Sequence, residues 1–370
     1  MEPAREMDAG ASTETLEADH LALLLHIGRE FCSSLQIDEV LRRVLDRAIA
    51  VTRAARGFIV LGESGGALTV RHARDAHHET IPPEHFEVSR SLFEKVAREK
   101  RPVITANAMI DPGLSAFESV VIHEMRSVMC APLLVKGRAI GVIFVDNRFD
   151  EAVFRSRDLE FLTAIAQQAA IAIDNARKHE SAREVVFALA NAIEAKDPYT
   201  GGHVDRVTTL AQRIGQVLEL GPEDQQNLEM AAILHDVGKI GIEESLLTKP
   251  GTLEPHERRR VEQHPEIGES IVRGLYNLPE SVKMSVLHHQ ERWDGRGYPS
   301  GLRGEEIPLY ARIVAVSDTF DAMTSTRPYR AALPRHIAID EIARNAGTQF
   351  DPIVVAAFVK VMTTWVDLEP

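Results

Sequence analysis

The spacing of apolar residues changes once along this chain, and that change is the strongest restriction on its fold. Up to about residue 155, short apolar runs such as 57–61 and 139–146 are separated by turn residues and helical stretches. Such runs predict β-strands. From Ser156 onwards, apolar residues recur three and four positions apart, which is typical of helices. The sequence therefore predicts an α+β domain followed by an all-α domain.

The strand-like runs of the first part predict two hairpins. The first spans residues 57–71 and the second spans 127–146, each with a glycine in its turn. Helical stretches at 21–55 and 89–99 precede the hairpins or separate them. We expect an antiparallel sheet with flanking helices, preceded by a disordered tail at residues 1–19, which are polar and acidic.

The charge balance excludes some partners. The chain has 42 basic and 55 acidic residues, a formal net charge of −13, so it has no general attraction to a nucleic-acid polymer or an anionic membrane. It begins without a signal-peptide pattern, and no apolar stretch is long enough for a membrane span. Its two cysteines fit a reducing compartment. We expect a cytoplasmic protein.

The helix that begins at Ser156 carries a short heptad-like seam. Its members are Leu162, Ile165, Ala169, Ala172 and Ala176. Two interpretations are open: the seam packs against the sheet of the first domain, or it pairs two subunits in parallel. Residues 179–183 interrupt the seam, so we place a linker helix at 156–182.

Four motifs in the second part carry histidines or aspartates in unusual settings. They are DPYTGGH ending at His203, HDVGK at 235–239, HPEIG at 264–268, and His288-His289 ahead of the glycine- and proline-rich loop 294–308; Asp318 follows. Burying a carboxylate costs several kcal/mol without compensation, so the His235-Asp236 pair inside an apolar run needs a reason. Imidazole and carboxylate groups suit a divalent first-row metal. Asp236 has two oxygens and can bridge two ions, about 3.5–4 Å apart, that activate water against a phosphoryl group.

Two family resemblances follow from these patterns. Residues 20–178 resemble GAF domains in the order of their elements and in the closing stretch APLLVKGRAIGVIFVDNRFDEAVF. Residues 183–368 resemble the HD-GYP subfamily of HD-domain phosphohydrolases, through AIEAKDPYTGGHVDRV, ILHDVGKIGI, HPEIG, HHQERWDGRGYP and AGTQFDP. Together they imply a GAF sensor domain at 20–155, joined by a long helix to an all-α HD-type bundle at 183–370.

The second resemblance implies an enzyme with a defined substrate. We expect metal-dependent hydrolysis of cyclic di-GMP to pGpG or GMP, regulated by the GAF domain, in a homodimer formed through the GAF domain and linker helix. One alternative is hydrolysis of another cyclic dinucleotide, such as cyclic GMP-AMP. Another is a degenerate domain that binds the nucleotide without turnover.

The resemblance also implies a role for each matching residue. Asp236 and Lys239 are expected to be catalytic, with Lys239 close to the scissile phosphate. The expected substrate contacts are Tyr298, Asp321, Arg327 and Arg330, although Asp321 also fits a role behind a metal ligand. The expected metal ligands are His203, His235, Asp236, His264, His288, His289 and Asp318. We expect two divalent ions, iron first, with manganese, nickel or zinc as alternatives.

Two positions depart from the family pattern. Counting back from Asp294, Gln290 occupies the position of a second histidine. Either His288 supplies that nitrogen through a different helix register, or one metal loses a ligand. Tyr199 stands where some members carry a glutamate for a third metal, so we expect no third ion. Glu194 and Asp197, just upstream, are expected either to orient His203 or to cap its helix.

Overall fold

The computed structural model describes residues 27–62, 67–86, 89–105, 127–147, 153–195, 202–249, 251–326 and 331–364. The chain divides into two compact units, residues 1–182 and 183–370. The expected tail at 1–19 lies outside the described residues, as do Asp197, Tyr199, Arg327 and Arg330.

The first unit is built on a five-stranded antiparallel sheet. Its strands are β1 Arg56–Gly62, β2 Leu68–Asp75, β3 Val103–Thr105, β4 Ser127–Val135 and β5 Arg138–Asn147. They lie in the order β2-β1-β5-β4-β3, and each neighbouring pair is antiparallel. Both predicted hairpins and the α+β class are confirmed.

Helices cover both faces of this sheet. They are α1 Ile37–Thr52, α2 Arg90–Glu99 and the first part of α3 Ser156–Glu194. Successive strand side chains alternate between faces, so Ile143 joins the core against α1 and α3 while Phe144 joins the core against α2. Burial on both faces explains why β1 and β5 read as continuous apolar runs.

Helix α3 begins at the predicted residue and continues beyond the predicted end. It runs from Ser156 to Glu194 without a break at 179–183. The five seam residues are all buried in the core of the first unit. The seam therefore packs within the first domain, which favours the first of the two interpretations. The homodimer through the GAF domain and linker helix stays a prediction.

The second unit is a bundle of helices, as the sequence predicts. They are α4 His203–Val217, α5 Pro222–Leu234, α6 Glu244–Leu247, α7 Pro255–Val261, α8 His264–Val272, α9 Glu280–His288, α10 Leu309–Thr324, α11 Arg335–Arg344 and α12 Pro352–Thr364. Its core joins α4, α5, α10 and α12 through residues such as Ile214, Leu228, Val314 and Phe358. Proline in the first turn of α5, α7 and α8 favours helix initiation there.

Among the described residues, no helix is both long and apolar enough to cross a bilayer.

Candidate metal centre and substrate cavity

Helix ends bring four imidazoles to one place in the second unit. His203 and His264 are the first residues of α4 and α8, whereas His235 and His289 directly follow α5 and α9. All four side chains are buried. Because α5 ends at Leu234, the His235-Asp236 pair lies in a turn before a short 3₁₀ helix, not inside a helix as its apolar surroundings suggest.

The candidate ligands form two groups that share one carboxylate. The ligand atoms of His203, His235 and Asp236 lie within 4.8 Å of one another, and so do those of Asp236, His264 and His289. Asp236 Oδ2 lies 3.4 Å from His235 Nε2, whereas Oδ1 lies 3.3 Å from His264 Nε2. Each oxygen of Asp236 therefore faces a different group, as a bridging carboxylate requires.

Hydrogen bonds fix the tautomer of each ring. In three rings, Nδ1 donates to the carbonyl oxygen three residues earlier: His235 to Ala232 at 2.7 Å, His264 to Val261 at 2.8 Å and His289 to Val286 at 2.8 Å. In the fourth, His203 Nδ1 donates to Asp321 Oδ2 at 2.7 Å. A carbonyl oxygen only accepts, so Nδ1 of each ring carries a proton, and Nε2 is the nitrogen that faces the centre. This arrangement is typical of histidines that bind metals.

The distance between two of these Nε2 atoms shows that the site suits a cation. His264 Nε2 and His289 Nε2 lie 3.1 Å apart. Both rings already donate their Nδ1 proton to a backbone carbonyl oxygen, so neither can turn that proton towards the other ring without breaking this hydrogen bond. Burial lowers the pKa of His264 to about 4, so this ring is neutral near pH 7. Two facing lone pairs beside a carboxylate attract a cation, and the donor set suits iron, manganese, nickel or zinc.

Lys239 lies against the shared carboxylate. Its Nζ is 2.5 Å from Asp236 Oδ2. Burial acts to raise the pKa of Asp236, yet Lys239 and His235 outweigh it and hold that pKa well below its ordinary value. Asp236 is therefore ionised, and Lys239 holds a proton next to it.

Three carboxylates surround His203 on two sides. Asp321 accepts the Nδ1 hydrogen bond on the outer side and also two hydrogen bonds from Arg206, at 2.5 and 3.1 Å. On the inner side, Asp318 Oδ1 lies 3.6 Å and Glu194 Oε1 lies 3.9 Å from His203 Nε2. Burial raises the pKa of Glu194. Asp321 thus orients His203 from behind, while Asp318 and Glu194 face the centre.

The His288-His289 doublet does not act as a unit. His289 Nε2 lies 3.7 Å from Asp236 Oδ1, whereas His288 Nδ1 lies 3.6 Å from Glu291 Oε1 and belongs to neither ligand group. Successive helical residues point about 100° apart, which separates the two rings. The structure does not bring His288 to the other expected ligands.

A cavity of about 520 Å³ adjoins the centre and includes His289 and Asp318 in its wall. Tyr298 and Gln290 also line it, together with Arg258, Arg292 and Arg296. The Tyr298 ring meets that of His264 edge-on, with 6.5 Å between centroids. The loop that carries Tyr298 therefore borders both the histidines and the cavity.

Two features hold this loop in place. Glu291 Oε1 accepts the backbone N–H groups of Ser300 at 2.7 Å and Gly301 at 3.0 Å. At Gly297, an added Cβ would lie 2.4 Å from Arg292 N and 2.7 Å from Gln290 O, so only glycine fits. The second glycine of the DGRGYP stretch thus permits close approach of two backbone segments.

Sequence reasoning missed Arg206, Glu291 and Arg296 as contributors to the site. Arg206 follows His203 by one helical turn, which was the available signal for a shared partner. Glu291 and Arg296 lie within the HHQERWDGRGYP stretch, but their roles depend on where the loop folds back.

Family models match both parts of the chain. The GAF domain model matches residues 34–174, and the HD domain model matches residues 188–354. These matches agree with the two resemblances and with the division into two units.

Three curated relatives match about half of the chain or more. The cyclic di-GMP phosphodiesterase response regulator RpfG of Xanthomonas campestris is 43% identical over 278 residues, 74% of this chain and 71% of RpfG. The 3′3′-cGAMP-specific phosphodiesterase 3 of Vibrio cholerae is 39% identical, over 48% of this chain and 38% of its own. A cyclic di-GMP phosphodiesterase of Thermotoga maritima is 41% identical, over 48% of this chain and 49% of its own. The chain thus spans less than half the length of the last two relatives.

Proposed function

Because this chain belongs to the HD-domain phosphohydrolases, a metal-dependent enzyme family, and carries a GAF domain ahead of its HD domain, we propose that it hydrolyses cyclic di-GMP under GAF control. The observation that carries this proposal is the pair of ligand groups sharing Asp236, beside a cavity that contains Tyr298 and three arginines. An acidic chain, with net charge −13, otherwise offers little to attract a dianion.

The proposed roles follow from the placement of each side chain. His203, His235, His264 and His289, with Asp236 and Asp318, would hold two divalent ions, for which we propose iron or manganese. Such ions, when bound, polarise a phosphoryl group and lower the pKa of the attacking water. Tyr298 borders the cavity and shapes the space for a nucleotide.

Lys239 is proposed to act on the leaving group. Its proton lies at Nζ, 2.5 Å from Asp236 Oδ2. As water oxygen bonds to phosphorus and the bond from phosphorus to the 3′ oxygen breaks, Lys239 donates that proton to the 3′ oxygen. The proton that the attacking water loses then restores the Lys239 ammonium. Asp236 keeps the lysine charged and in position before the reaction.

Hydrolysis of cyclic GMP-AMP is a second candidate function. It is favoured by the similarity to a relative named as specific for 3′3′-cGAMP, at 39% identity. The two substrates differ in one base, so the two ligand groups serve both equally. The choice between them rests on contacts to the base.

Hydrolysis is tested on the full-length protein, purified without oxygen and loaded with Fe(II) or Mn(II). We expect it to linearise cyclic di-GMP, with products separated by chromatography, and cyclic GMP-AMP is assayed in parallel. Asp236→Ala removes the carboxylate shared by both groups and is expected to lower kcat by at least ~10³-fold and to reduce bound metal, measured by elemental analysis.

Asp205→Ala is the matched control, because Asp205 lies in the same unit on the exposed surface of α4. It is expected to keep its metal and activity. A wild-type protein that binds the nucleotide but hydrolyses neither substrate with any of the metals would instead be a nucleotide-binding protein.

A further inference from the structure

The three arginines of the cavity differ in how their charges are balanced. Arg292 directs its guanidinium at Asp294, with two hydrogen bonds of 3.2 and 3.0 Å. Arg258 Nε lies 3.6 Å from Glu262 Oε1, one helical turn away. Each of these two cations already has a carboxylate partner.

Arg296 differs from both in the part of the chain that the structure describes. Within the part of the chain that the structure describes, no carboxylate oxygen lies within 4 Å of its guanidinium. Its backbone N–H is fixed by Asp294 Oδ1 at 3.1 Å, so the loop is held while the side chain remains exposed at the cavity. The loop thus brings to the space that adjoins His289 and Asp318 a guanidinium that forms no ion pair with the described residues.

A cyclic dinucleotide places two phosphates in such a cavity, and only one can react at the metal ligands. The other remains an anion and needs a cation to compensate for lost hydration. Arginine suits this role because its planar guanidinium binds phosphate through two parallel hydrogen bonds. On the basis of the proposed function, we propose that Arg296 binds the second, non-reacting phosphate of the substrate.

This assignment adds a contact from the loop at 294–301. The two basic residues that family resemblance suggests as substrate contacts, Arg327 and Arg330, lie further along the sequence. Arg296 occupies the position between the two glycines of DGRGYP, and Gly297 beside it requires close packing against the backbone of residues 290–292. The loop therefore holds the Arg296 backbone at the cavity wall while leaving its side chain to the substrate.

The test compares a substrate with two phosphates and a diester with one. Arg296→Gln is expected to raise KM for cyclic di-GMP about tenfold, which corresponds to ~1.4 kcal/mol, with kcat nearly unchanged. Turnover of bis(p-nitrophenyl) phosphate is expected to be far less affected, because this diester has no second phosphate. Calorimetric titration of Arg296→Gln with cyclic di-GMP should show a matching rise in Kd. The KM and Kd of Arg296→Lys should lie between those of Arg296→Gln and wild type.

Arg259→Gln is the matched control, since Arg259 is exposed on α7 and does not line the cavity. An unchanged KM and Kd in Arg296→Gln would overturn the inference. Equal losses on both substrates, or a lower metal content or melting temperature, would also overturn it by showing a structural role. Failure of the proposed function is distinct: the wild-type protein itself would then leave cyclic di-GMP intact.

Discussion

Asp236 uses its two carboxylate oxygens separately, and this explains why one residue has so large a predicted effect. Oδ1 faces His264 and His289, while Oδ2 faces His235 and Lys239. The sequence predicted this sharing from residue chemistry, because a buried His-Asp pair needs a cation. It did not predict which ring of the 288–289 doublet faces inward, since that depends on where α9 ends.

The doublet provides a test at the level of single residues. His289→Gln is expected to lower metal affinity more than tenfold, because His289 Nε2 lies among the ligand atoms. His288→Gln, the matched variant one residue away, is expected to keep its metal, because His288 faces Glu291 instead. Metal content after dialysis against a weak chelator measures both variants. A greater loss in His288→Gln would place the missing nitrogen at position 288.

The helices of the second unit begin close to where periodicity predicts them. The apolar periodicity of the sequence predicts helices that start near residues 223, 254, 281 and 307. In the structure, α5, α7, α9 and α10 begin at Pro222, Pro255, Glu280 and Leu309. The end of α5 was not predictable in the same way. The apolar run continues past Leu234, but the backbone leaves the helix there and passes close to the start of α8.

Gly238 is the point of that close approach, and it provides a test at the level of elements. A Cβ at this position would lie 1.9 Å from His264 O and 2.5 Å from Gly268 N, both of them backbone atoms that cannot rotate away. Gly238→Ala is therefore expected to destabilise the second unit by ~2 kcal/mol or more and to lower its Tm by roughly 4–8 °C.

The control for this variant is Gly274→Ala, because a Cβ there meets no atom within 4 Å. Its change in unfolding free energy is expected to stay within about 0.5 kcal/mol of wild type. Thermal unfolding followed by circular dichroism compares the two. Equal melting temperatures would mean that α8 can move away from Gly238 without cost.

At the scale of the whole molecule, the sequence predicted two domains of different class but not the extent of the helix they share. The interruption of the seam at residues 179–183 predicted that the linker helix ends there, yet these residues continue α3 to Glu194. Polar residues end an apolar seam without ending a helix, because nothing in them breaks backbone hydrogen bonding. Likewise, motif order indicated the site, but the contact between His203 and Asp321, 118 positions apart, is a property of the folded bundle.

Deletion of the first domain should expose the seam of α3. A protein of residues 156–370 keeps the five seam residues but loses the sheet that buries them, so we expect it to self-associate. A protein of residues 183–370 lacks the seam and should associate less. Light scattering after gel filtration at equal concentrations compares the two. Identical masses would show that the seam is covered in some other way.

The unbroken course of α3 also sets a rule for building chimeras. Any sensor joined to this enzyme through α3 must respect helical phase, because each added residue turns the rest of the helix by about 100°. One residue inserted after His179 would rotate the remaining helix by more than a quarter turn, whereas seven would return it to within about 20° of its original phase. Fusion libraries that step through insertion lengths should therefore vary with a period of about seven residues, not decline steadily with linker length.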